Sequence, residues 1–168
     1  MGSRASRALT VAAVAAAALA VPAVAAAPAE GVFVPGESLG GIELGMSEAD
    51  VRERWGSKHG LCRNCTHPTW YYNLKPFEPQ GAGVEFRRRR VARVFTVWRP
   101  LGWRTGDALE LGVQLDELRE AVPGLQVRPC EGYTAYVTEE GGAQSVYYVF
   151  RGRLWGFGLM SRLLSPCL

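Results

Sequence analysis

A fifteen-residue stretch occurs twice in this chain. Gly41-Ile-Glu-Leu-Gly-Met-Ser-Glu-Ala-Asp-Val-Arg-Glu-Arg-Trp55 aligns without a gap with Ala108-Leu-Glu-Leu-Gly-Val-Gln-Leu-Asp-Glu-Leu-Arg-Glu-Ala-Val122. Five pairs are identical: Glu43/Glu110, Leu44/Leu111, Gly45/Gly112, Arg52/Arg119 and Glu53/Glu120. Ile42/Leu109, Met46/Val113, Asp50/Glu117 and Val51/Leu118 keep their chemical type. A duplicated unit this short has to bury its apolar face against its copy, so the repeat constrains the architecture more than any single motif.

Each copy opens on a helix signal. Ser47 is an N-cap, Asp50 completes a capping-box pattern, and Met46 with Val51 forms a hydrophobic staple. Gly56 ends that helix, and Pro123-Gly124 ends the second. Gln114 replaces the serine cap in the second copy, which predicts a more readily frayed helix. After each helix the period changes towards two. Residues 69–73, 83–86 and 91–98 read as strands in the first copy, and 133–137, 145–150 and 154–159 in the second. The expected fold is α+β, a tandem repeat of a helix followed by an antiparallel β-meander. Its segments are a signal peptide (1–25), a flexible leader (26–40), repeat one (41–100), a connector (101–106) and repeat two (107–168).

The first segment reads as an address. Arg4 and Arg7 give a positive start, residues 8–21 are apolar, and Ala23-Val-Ala25 offers a small-x-small cleavage site. No cysteine follows for a lipid anchor, so the expected mature protein is secreted or otherwise extracytoplasmic, without a stable membrane anchor. Removing residues 1–25 leaves seventeen basic and sixteen acidic residues, a net charge of +1. That balance argues against a dedicated nucleic-acid binder.

The segment 41–51, followed by Trp55-Gly56, resembles the opening helix of the SmpA/OmlA-type envelope lipoproteins. The doubled unit is similar to the β-lactamase inhibitor protein fold. The resemblance implies a binding module that presents a sheet face or loops to another protein. No positions match the inhibitor's contact loops, so no inhibitory residue carries over.

Cys62-Arg-Asn-Cys65 can be a redox pair, half of a zinc knuckle or a structural disulfide. His59 and His67 flank it, but four ligands within nine residues close poorly into a tetrahedron. Export favours oxidation, hence a disulfide and no metal. Cys130 and Cys167 then pair by elimination, although four cysteines allow crossed pairings. The longer link is expected to stabilise by about 4 kcal/mol and the shorter by about 2 kcal/mol.

Arg87-Arg-Arg-Arg90 reads as a solvated hairpin turn that could also attract a polyanion. The strands carry apolar groups on both parities, which implies either two half-sheets packed face to face or an aromatic surface left for a partner. Trp70, Tyr72, Trp98, Trp103, Trp155 and Phe157 form the candidate partner-binding set. The sequence lacks Gly-x-Ser-x-Gly, His-Glu-x-x-His and phosphate-cradling glycine loops, so no catalytic residue and no cofactor is expected. The leading expectation is a secreted, non-enzymatic module that binds an extracellular or envelope protein. Its rivals are an envelope-associated structural protein touching anionic wall polymers, and an exported thiol oxidoreductase using Cys62 and Cys65.

Overall fold

The structure is a computed structural model, and it describes residues 31–73, 81–97 and 102–168. The expected signal peptide, residues 26–30 of the leader and Trp98 lie outside the described residues. In chain order the elements are β1 (Gly31–Val34), β2 (Ser38–Leu39), β3 (Ile42–Glu43), α1 (Glu48–Trp55), β4 (Gly60–Leu61), β5 (Thr69–Asn73), β6 (Gly81–Arg87), β7 (Arg90–Val97), β8 (Trp103–Thr105), α2 (Leu115–Ala121), β9 (Gln126–Cys130), β10 (Tyr133–Glu140), β11 (Ala143–Phe150) and β12 (Arg153–Ser161).

The chain is mostly β, which corrects the expected α+β repeat of helix then meander. The two described helices hold only eight and seven residues. Strands instead assemble one eight-stranded antiparallel sheet in the order β4-β5-β6-β7-β12-β11-β10-β9, beside a four-stranded sheet in the order β3-β2-β1-β8. The large sheet is continuous because β7 and β12 pair at its centre, Phe95 opposite Gly158 and Arg93 opposite Met160. Two separate half-sheets therefore do not exist.

Residues 31–34 and 38–39 of the expected flexible leader are strands. Phe33 and Leu39 are buried, and β1 runs parallel to β8, so residues 103–105 of the expected connector are sheet as well. Trp103 explains the local glycines, since a Cβ on Gly31 would come within 2.8 Å of its ring. The sequence hid these strands because each is only two to four residues long and carries no sustained alternation.

The duplicated motif makes the same local bonds in both places. Gly45 N–H donates to the Val91 carbonyl (2.8 Å) and Gly112 N–H to the Leu154 carbonyl (2.6 Å). Val91 and Leu154 return the bond to Met46 and Val113 (2.8 and 3.0 Å). Arg90 reaches the Gly45 carbonyl at 3.2 Å, as Arg153 reaches that of Gly112 at 3.0 Å. Both glycines hold φ values, 84° and 106°, that L-residues rarely adopt.

Both faces of the large sheet are covered, by different parts of the chain. One face packs with Phe33, Leu39 and Ile42 of the small sheet, Val51 and Trp55 of α1, and Leu118 of α2. The other face carries Phe95, Val137, Val146, Tyr148 and Met160, and is capped by Leu164. Two covers explain why these strands are apolar on both parities.

Candidate functional site

Four of the six candidate aromatics are core. Trp70, Tyr72, Trp103 and Phe157 are only 5%, 2%, 1% and 0% exposed. Trp70 is enclosed between the His59 ring, stacked at 4.0 Å, and the Arg52 guanidinium at 4.5 Å. Tyr72 donates its hydroxyl to the Gly56 carbonyl, and Trp103 meets Trp55 edge to face. With Trp98 outside the described residues, only Trp155 of the set is partly exposed. The expected contact surface is therefore not assembled by these residues.

Trp155 also changes face. A bulge between Tyr148 and Val149 sets Tyr148 opposite Gly156 but Val149 opposite Leu154, so Trp155 is the extra residue of the bulge. Leu154 and Phe157 point into the first core while Trp155 packs with Tyr133 and Tyr148 on the second face. The bare positions Gly156 and Gly158 are not vacant either. The Tyr148 ring lies over them, and a Cβ on Gly158 would sit 2.7 Å from its hydroxyl. Gly83 does the same for Phe95, whose ring would be 2.4 Å from an added Cβ.

All four cysteines are in disulfides, Cys62–Cys65 and Cys130–Cys167. The second pair ties β9 to residues 162–168, which cross the second face as a strap. Arg93 holds that strap from below, donating to the carbonyls of Ser165 (2.7 Å) and Cys167 (3.2 Å). Gln144 donates to the carbonyls of Arg162 and Leu164, both at 3.1 Å. No cluster of three or more metal-capable side chains exists among the described residues. His59 is turned to Trp70, and its pKa is lowered, first by burial and then by Arg52.

A groove of about 470 Å³ runs between the strap and the loop that carries the Cys62–Cys65 bond. Tyr71, edge to face with Phe95 at 6.1 Å, forms its floor. Asn64 and Thr66 stand on one wall, and Glu85 and Arg93 lie at its base. The Glu85 carboxylate is shared, 3.7 Å from Arg93 Nε and 3.4 Å from Arg87 Nε. Burial raises the Tyr71 pKa, which Arg93 only partly offsets. Sequence reasoning missed this groove because it favoured the opposite parity of β5. The available signal was Gly83, a strand glycine that makes room for a ring.

At the end of the groove stands the arginine hairpin between β6 and β7, which the sequence did indicate. Residues 87–90 are all exposed, and Arg87 pairs with Arg90 across a two-residue loop. Arg88 and Arg89 hold φ values of 50° and 62°. Three other two-residue hairpin loops have positive φ at both positions: Gly40-Gly41, Gly141-Gly142 and Arg151-Gly152. Each of those contains glycine, as the left-handed region demands. The loop at 88–89 has none. Arg89 reaches Glu48 at 3.6 Å, and Arg88 has no ion pair or hydrogen bond among the described residues.

No family model and no curated protein matches this chain. Among solved structures it is similar to an extracellular protein containing a SCP domain from Bacillus anthracis str. Ames, with a TM-score of 0.51 at 12% identity. That match covers 71% of this chain and 44% of the other, so the chain spans less than half its length. A DUF4309 family protein (YjgB) from Bacillus subtilis subsp. subtilis str. 168 gives a TM-score of 0.48 at 14% identity over 69% of this chain and 78% of its own. Neither is an SmpA/OmlA-type lipoprotein or a β-lactamase inhibitor protein. The first likeness is one of fold. The two disulfides belong with an oxidising, extracytoplasmic setting.

Proposed function

We propose that this chain is a secreted, non-enzymatic protein that engages an anionic polymer of the cell envelope through the arginine hairpin. The observation that carries the reading is the pair of left-handed arginines at 88 and 89. A non-glycine residue in that conformation costs about 1 kcal/mol, and the chain uses glycine in its three comparable loops. Two exposed arginines in that conformation are worse turn residues than Asn-Gly but better anion ligands, since guanidinium groups bind phosphate and carboxylate bidentately. Strain retained at a surface turn points to selection for charge over stability. The buried aromatics support the same choice, because they leave the described surface without the aromatic patch that a protein-binding reading of those residues needs. The signal-like residues 1–25 supply the route of export.

The variant Arg88→Asn/Arg89→Gly separates the two roles. It gives the turn its preferred residues, so stability measured by urea unfolding is expected to rise by about 1–2 kcal/mol. Binding of the purified protein to sodium polyphosphate is expected to weaken by about tenfold or more, and wild-type binding to fall steeply with added salt. A variant that binds polyphosphate as well as the wild type removes the proposal.

A further inference from the structure

The groove and the arginine hairpin share a residue. Arg87 lies both in the turn and on the groove lining, and its Nε faces the same Glu85 carboxylate that Arg93 does. A ligand held by the exposed guanidinium groups therefore continues directly into the groove. What the groove offers is specific in kind: the half-buried Tyr71 ring as a floor, with a carboxylate, a guanidinium, an amide and a hydroxyl around it. That combination suits a flat ring whose faces are apolar and whose rim is hydroxylated. It suits a bare phosphate chain poorly, because Glu85 repels it and the ring gives it nothing.

Arg93 is committed to the protein and leaves Glu85 as the acceptor of the groove. It is only 9% exposed, its two terminal nitrogens are used by the strap, and its Nε makes no hydrogen bond. That Nε instead faces the Glu85 carboxylate at 3.7 Å, as an ion pair at the base of the groove. A ligand hydroxyl in the groove therefore finds its acceptor in Glu85, to which it donates.

We infer that the anionic polymer is a glycan, with one sugar ring seated on Tyr71, which Phe95 supports edge to face, and the acidic group of the adjoining unit on the arginine hairpin. This rests on the hairpin reading given above. The hairpin supplies the charge attraction, and the groove supplies the selection for sugar. The volume of about 470 Å³ accommodates one or two sugar units rather than a longer stretch of chain.

The test is calorimetric titration of the whole exported chain with three probes: alginate oligomers, which are uronate glycans; sodium polyphosphate of matched charge; and neutral dextran. Alginate is expected to bind about tenfold tighter than polyphosphate, and dextran least. Tyr71→Leu keeps apolar volume but removes the ring, and is expected to collapse the margin of alginate over polyphosphate. Tyr71→Phe keeps the ring and is expected to retain the margin, which distinguishes ring stacking from damage to the fold. Equal affinity for alginate and polyphosphate overturns the glycan inference and leaves the hairpin reading standing. So does a margin that survives Tyr71→Leu. Failure of both anions to bind overturns the hairpin reading and this inference with it.

Discussion

The hydroxyl of Tyr148 is fully buried, lies against Gly158, and has no hydrogen-bond partner among the described residues. Leaving such a group unpaired costs more than the hydroxyl returns, so Tyr148→Phe is expected to stabilise the protein by about 1 kcal/mol in urea unfolding. The same residue sets an alkaline limit on the fold. Burial raises the pKa of Tyr148 strongly, and pushes those of Tyr72 and Tyr147 up to about 12 from the ordinary 10.0. The native state keeps protons that the unfolded chain releases, so stability is complete below pH 10 and declines as pH rises from there. Each of the three groups contributes a slope of about 1.4 kcal/mol per pH unit between about pH 10 and 12. Unfolding free energies measured across that window check it, and Tyr148→Phe should remove one of the three slopes. A flat profile above pH 10 would mean that the three rings are not buried as described.

Helix entries were legible in the sequence because caps are local chemistry. Ser47 accepts from the Asp50 N–H at 3.2 Å, and the Asp50 carboxylate accepts from the Ser47 N–H at 2.7 Å. Those bonds hold the Asp50 pKa below its ordinary value. At α2, Gln114 makes no side-chain cap. Ser47→Ala is expected to cost about 1 kcal/mol, whereas Gln114→Ser should gain several tenths or more, both readable as shifts in the urea midpoint. Strand β5 and the arginine turn were equally legible, since alternation and polar punctuation are local too. The fold class was not. Whether β7 finds β12, and whether β1 finds β8, depends on partners about 60 residues or more away, which local patterning does not encode. The face of Trp155 was lost for a related reason. One bulged residue reverses the parity of everything before it in the strand, and the sequence Leu154-Trp-Gly-Phe157 carries no mark of where that residue falls.

Across the whole molecule, the strap is the part on which the second apolar face depends. Replacing both Cys130 and Cys167 with serine removes a link that spans 37 residues, and is expected to cost about 4 kcal/mol. Thermal melting should fall accordingly, with increased binding of an apolar dye as Phe95 and Val146 lose their cover. The corresponding change at Cys62 and Cys65 should cost only about 2 kcal/mol. The groove was invisible in the sequence because its two sides, residues 64–95 and the strap, are far apart in the chain, with 72 positions separating Arg93 from Ser165. The pairing of β7 with β12 has a consequence for biogenesis. These two strands are neighbours at the middle of the sheet, yet β8 to β11 are made between them. A chain that crosses a membrane from its N-terminus delivers β4 to β7 first, with the inner edge of β7 open and Arg93 holding nothing. That half-sheet has to be kept from pairing with a second copy until β12 and the strap arrive, so export and folding cannot proceed in step. For a chain exported in this way, folding calls for a period of holding on the far side of the membrane, and its yield should depend on how crowded with sister chains that space is.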